Sequence, residues 1–150
     1  MQKLLIDGKK TLSGNIVISG SKNATLPILA ATILNKETII KNVPFVNDIF
    51  TMVDLLKFIG LNCELSKKNN RIRIINLEKK IKTVAPYKLV KTMRAGILVL
   101  GPLLAKYKKA KISLPGGCAI GTRPVDLHLL ALKKLGAKIK IKNGYIFASA

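Results

Sequence analysis

The sequence predicts an α/β fold assembled from repeated units, and three observations carry that prediction. Short β-branched stretches alternate with helix-length amphipathic stretches along the whole chain. A helix–glycine–strand passage occurs twice. A hydrophobic share of 49% in 150 residues supplies one real core, enough to bury roughly 70% of the unfolded chain's surface, and it excludes disorder.

Strands are expected at 3–6, 14–19, 38–41, 62–65, 71–75, 111–114, 138–141 and 145–148, each short and bounded by Gly, Asn or charged turns. Asn69-Asn70 and Asn143-Gly144 read as hairpin turns. Helices are expected at 23–34, 46–58, 88–106 and 124–135. In the second of these, Asp48, Ile49, Met52, Val53, Leu56 and Ile59 lie on one stripe of helical spacing. The repeat aligns 56–65 (LKFIGLNCEL) with 132–141 (LKKLGAKIKI), where a helix ends at glycine and a strand follows at once. Residues 29–41 match 102–113 less closely. Two copies of one unit are expected: helix, strand, helix, then a strand hairpin.

The net charge of +20 is large, and a pI near 10.3 would mark a nucleic-acid binder if the charge gathered on one face. Along the chain it does not gather: lysines run from Lys3 to Lys142 through turns, helices and strands. Preference for Lys over Arg, with abundant Ile and Asn, is what AT-rich codons produce. Aromatics are only 5%, a poor stock of stacking platforms. Nucleic acid is therefore not the expected partner. No apolar run approaches the ~20 residues of a membrane span, and Asp7 comes too early for a signal peptide. The cytosol is the expected compartment, and no membrane association is expected. Cys63 and Cys118 make no disulfide framework, so each is read as a free thiol.

Three motifs carry the chemistry. The first is 114–127 (LPGGCAIGTRPVDL), where Pro115 and three glycines make a loop able to close over a ligand. Cys118 stands in that loop, and Arg123 precedes Pro124 at a helix start, a favourable pairing for a phosphate. A plain turn and a small buried cysteine are the bland alternatives for either feature taken alone. The second is 19–27 (SGSKNATLP), which sets Lys22 and Asn23 at a strand-to-helix junction that could suit an anionic ligand; by itself it reads as a capped helix with a solvated lysine. The third is 88–96 (KLVKTMRAG), where Arg94 precedes an apolar helix face and reads on residue type alone as a rim ion-pair partner. His128 is expected to pack its helix, and Cys63 to lie in the core.

The blocks 19–23, 85–95 and 114–128, in unbroken order, closely resemble the UDP-N-acetylglucosamine 1-carboxyvinyltransferases. That resemblance implies the enolpyruvyl transferase fold, an inside-out α/β barrel of repeated units. Residues 1–19 would be strands that pack with a second domain, and 20–150 an incomplete first domain. It implies transfer of the enolpyruvyl group of phosphoenolpyruvate to the 3-hydroxyl of UDP-N-acetylglucosamine, with release of phosphate and no metal or organic cofactor. That reaction is the first committed step of peptidoglycan synthesis and the target of fosfomycin. By motif, Cys118 is the catalytic general acid. Lys22, Asn23, Arg94 and Arg123 hold phosphoenolpyruvate. Asn23, Arg94, Arg123, Pro124, Val125, Asp126 and Leu127 line the nucleotide-sugar site. The family is more than twice this length, so the general base is expected elsewhere. The 150 residues alone are expected to be inactive and only marginally stable, with an edge at 138–148 awaiting the next unit. Competing readings are the sister transferase acting on shikimate 3-phosphate, a basic nucleic-acid-binding module, and an inactive truncated remnant.

Overall fold

In the computed structural model the described residues are 3–9, 11–77, 81–91, 93–115 and 125–150. The first unit runs α1 (Lys22–Ala31), a 3₁₀ turn (Thr32–Leu34), β1 (Glu37–Ile40), α2 (Asn47–Ile59), β2 (Asn62–Ser66) and β3 (Arg71–Ile75). The second runs β4 (Val84–Ala85), α3 (Tyr87–Val90), a 3₁₀ stretch (Arg94–Val99), α4 (Leu100–Tyr107), β5 (Lys109–Ser113), α5 (Asp126–Lys134), β6 (Lys138–Lys142) and β7 (Tyr145–Ser149). The sheets are ordered β1-β3-β2 and β4-β5-β7-β6. In each, the hairpin's second strand lies antiparallel between its partner and the unit's earlier strand. The repeat in sequence is thus a repeat in topology.

Its local cause is visible at both helix ends. The Leu61 amide donates to the Leu56 carbonyl at 3.0 Å and Gly60 to Lys57 at 3.0 Å. The Ala137 amide donates to Leu132 at 3.0 Å and Gly136 to Lys133 at 2.9 Å. These are paired Schellman closures, and both demand a left-handed residue; Gly60 and Gly136 have φ of 120° and 96°. The Asn143-Gly144 turn, φ 50° and 72°, has the mirror-image geometry that matches strand twist.

Strand alternation sets the layers. Ile72, Ile74, Ala110, Ile112, Ile146 and Ala148 point inward, while Arg71, Arg73, Lys109 and Lys111 point outward. Helix α2 buries Ile49, Met52, Val53, Leu55, Leu56 and Ile59, joining side chains of both units in one core. Polar braces cross between the units as well. Buried Asn76 donates to the Ile33 carbonyl at 2.9 Å and to Tyr107 Oη at 3.2 Å. Lys106 Nζ donates to the Ile33 and Leu34 carbonyls that end the first helical stretch.

Two expectations are corrected. Residues 3–6 and 14–19 form no strands: Leu5 and Val17 are each 96% exposed, and a strand without a partner backbone has no ladder to hold it. The helix expected over 88–106 is broken into α3, the 3₁₀ stretch and α4, because Met93 is extended (φ −132°, ψ 105°) and Gly96 and Gly101 weaken the helix. A Cβ at Gly96 would stand 3.0 Å from Val90 Cγ1, so the chain folds back closely there. The hairpin edge is alike in both units: among the described residues β2, which corresponds to β6, has only β3 as a neighbour, and the two units of this chain join through buried helices. Among the described residues no helix is long and apolar enough to cross a membrane.

Candidate active site

Ser21 caps α1, its hydroxyl accepting from the Ala24 amide at 3.3 Å. Thr25 Oγ1 donates to the Ser21 carbonyl at 2.8 Å, tightening the same turn. The chain enters this turn through Gly20, where a Cβ would stand far inside contact distance of the Asn42 carbonyl oxygen and 3.2 Å from Pro44 Cδ. Only glycine lets the backbone pass so close to the loop after β1. The close approach aims the start of α1, with Lys22 and Asn23, toward the start of α2.

There Lys22 Nζ meets Asp48 Oδ2 at 2.9 Å. Asp48 belongs to the first turn of α2, where a carboxylate complements the helix dipole. The break at Met93 brings Arg94 to the same place from the second unit. Lys22, Asn23, Asp48, Arg94 and His128 share one cavity of about 410 Å³, within the range of small-ligand sites. Leu26, Met93 and Ile97 supply apolar lining. Two helix starts, an ammonium and a guanidinium favour an anionic ligand with a small apolar part.

The sequence-expected residues therefore divide. Lys22, Asn23 and Arg94 converge on the cavity. Val125 is 7% exposed and packs in the core. Asp126 and Leu127 are exposed at the first turn of α5. Cys118, Arg123 and Pro124 lie outside the described residues. His128, expected to pack its helix, is instead exposed and on the cavity wall, because α5 turns Leu129 inward. Asp48 escaped the motif reading altogether. Its signal was a carboxylate at the head of a core-facing stripe. Cys63 is in the core, and burial pushes its thiol up to about 11, outweighing the opposing charge of Lys57.

The family model for EPSP synthase (3-phosphoshikimate 1-carboxyvinyltransferase) matches residues 6–150. The chain is 62% identical over its whole length to the UDP-N-acetylglucosamine 1-carboxyvinyltransferase of Pelagibacter ubique, covering 36% of that protein. It is 52% identical to the enzyme of the same name from Nitratiruptor, covering 35% of it. The chain thus spans about a third of the length of these relatives. Among solved structures, the enolpyruvyl transferase NikO from Streptomyces tendae superposes over 95% of this chain and 31% of its own, with a TM-score of 0.74 and 18% identity. EPSP synthase from Acinetobacter baumannii superposes over 91% of this chain and 32% of its own, with a TM-score of 0.62 and 18% identity. At that identity the superpositions establish the fold. With the family match spanning both repeated units, the chain belongs to the EPSP synthase family of enolpyruvyl transferases.

Proposed function

We propose that this chain supplies the anion-binding wall of a transferase that moves the enolpyruvyl group of phosphoenolpyruvate to the 3-hydroxyl of UDP-N-acetylglucosamine, a step of peptidoglycan synthesis in the cytoplasm. The observation that carries the reading is the convergence of Lys22, Asn23 and Arg94, from two separate units, on one cavity. Phosphoenolpyruvate brings a carboxylate and a phosphate together, and cations at helix starts neutralise both. The relatives named above carry the same activity in their names, which supports the nucleotide sugar over shikimate 3-phosphate.

In the net reaction a bond forms from the acceptor oxygen to the central carbon of phosphoenolpyruvate, and the bond from that carbon to the phosphate oxygen breaks. The acceptor hydroxyl loses its proton and inorganic phosphate leaves. Protonating the methylene carbon makes the central carbon electrophilic, and the methyl group so formed gives a proton back as phosphate leaves; Cys118 is the proposed acid for the first of these steps. Arg123, with 124–127, would complete the phosphate and uridine contacts. Lys22 and Arg94 would hold the phosphate as charge builds on it. Asp48 would hold Lys22 in place.

The test is phosphate release from phosphoenolpyruvate by the enzyme carrying this sequence, with each acceptor in turn. Release dependent on UDP-N-acetylglucosamine, and lowered at least tenfold by Arg94→Ala, is expected. Release dependent on shikimate 3-phosphate alone would overturn the assignment.

A further inference from the structure

We propose that the outer face of the second sheet binds single-stranded nucleic acid. Lysines that look scattered along the chain are gathered there by strand register. Lys109 and Lys138 flank Ser149, Lys111 and Lys140 flank Phe147, and Lys142 lies beside Tyr145. Five ammonium groups thus border the outward side of the central strand β7. Its two outward rings stand two residues apart, about 6.6 Å along the strand. Phe147 is 40% exposed. Lys111 Nζ sits 4.8 Å from the Tyr145 ring centre and 5.2 Å from that of Phe147. Thr83, Lys109, Lys111, Lys138, Lys140 and Phe147 line a shallow hollow of about 470 Å³ on this face.

The first unit provides an internal comparison. Its corresponding face carries Arg73, held by Glu37 at 2.7 Å and Glu64 at 3.4 Å. In the second sheet no Asp or Glu occurs between 127 and 150 or between 79 and 125. The fold is the same, but one face is neutralised by its own carboxylates and the other is not. Lysines on the strands either side of two stackable rings match a phosphate backbone with bases turned to the sheet. An incoming base would take the ring face from Lys111, which is then free to meet a phosphate. A membrane surface could use both the charge and the rings. The register of lysines either side of two rings one nucleotide step apart instead favours a strand with alternating phosphates and bases, and vesicle competition separates the two.

Because the whole chain is basic, the experiment compares equal charge removed in two places. Fluorescence anisotropy with a labelled twelve-nucleotide uridine oligonucleotide would be recorded across a salt series. The face variant is Lys109→Gln with Lys138→Gln and Lys140→Gln; the control is Lys36→Gln with Lys57→Gln and Lys68→Gln. The face variant should lose at least tenfold in affinity and reduce the salt slope by about 2, with the control within twofold of the parent. Phe147→Leu, which keeps bulk in an exposed position, should lose at least threefold for the oligonucleotide and nothing for inorganic polyphosphate. Equal losses in face and control variants would overturn the site. Full competition by polyphosphate or phosphatidylserine vesicles, with Phe147→Leu silent, would overturn nucleic acid as its ligand.

Discussion

Lys22 Nζ lies 2.9 Å from Asp48 Oδ2, tying the first turn of α1 to the first turn of α2 at the mouth of the cavity. Both side chains remain substantially exposed, at 46% and 37%. Such a pair contributes at most about 1 kcal/mol to folding. Its value lies in position: the carboxylate holds an ammonium on the wall of the cavity that Arg94 also lines. Lys22→Met is therefore expected to leave the urea midpoint almost unchanged while weakening phosphoenolpyruvate binding at least tenfold. Calorimetric titration alongside denaturation checks this, and comparable losses in both would reduce Lys22 to a structural strut.

Gly20 gives a contrasting prediction, because its role is steric. A methyl group there would collide with the Asn42 carbonyl oxygen, a backbone atom that cannot rotate away. Gly20→Ala should destabilise the fold by about 1–3 kcal/mol, as overpacking does. It should also shift the start of α1 and thereby weaken anion binding. Gly8→Ala, with nothing near its Cβ, is the neutral control. Equal unfolding midpoints for the two variants would contradict the close approach.

These two positions show what could be read from sequence. Gly20 and Lys22 were legible as a turn and a helix start, since glycine freedom and helix caps are local. The repeat was legible because the Gly60 and Gly136 closures depend on a few neighbouring residues. The split of 88–106 was not, since its apolar spacing fits one helix and only packing of Gly96 on Val90 reveals the fold-back. Asp48 and His128 were missed for a related reason. Each becomes a site residue only through the partner brought to it from another element, and no local pattern encodes that meeting. The strands expected at 3–6 and 14–19 show the converse. Their alternation is strand-like, but pattern alone cannot supply a pairing edge.

The cysteines should separate by reactivity. Burial lifts Cys63 from 9.0 to about 11, so at pH 7.5 its thiolate fraction is about a hundredfold below that of an ordinary thiol. Cys118 belongs to a glycine-rich stretch of sequence, five residues before Arg123, and fosfomycin or iodoacetamide should modify it first. Peptide mapping by mass spectrometry decides, and predominant labelling of Cys63 in the native state would reverse the assignment. The same shift makes a stability statement. The raised thiol costs nothing below pH 9, where both states are protonated. Above it the unfolded chain loses its proton first, so stability falls as pH rises from 9 toward 11. Cys63→Ala should flatten that part of the pH profile, although it also removes some core packing.

Residues 3–19 should contribute almost nothing to the stability of the 150-residue chain. Leu4, Leu5, Ile6, Leu12, Ile16, Val17 and Ile18 are each at least 75% exposed, so little apolar surface leaves water when this segment takes its place. At about 25 cal/mol per Å² of apolar area buried, side chains this exposed add little, and ordering the backbone opposes even that. Removing residues 1–19 while keeping Gly20 and the Ser21 cap is therefore expected to change the unfolding free energy by less than about 0.5 kcal/mol. Solubility should rise, because a run of uncovered Leu, Ile and Val is what drives non-specific association. Thermal unfolding and light scattering of the two polypeptides test the pair of outcomes. A loss of more than about 2 kcal/mol on truncation would mean that the segment packs against the units in solution.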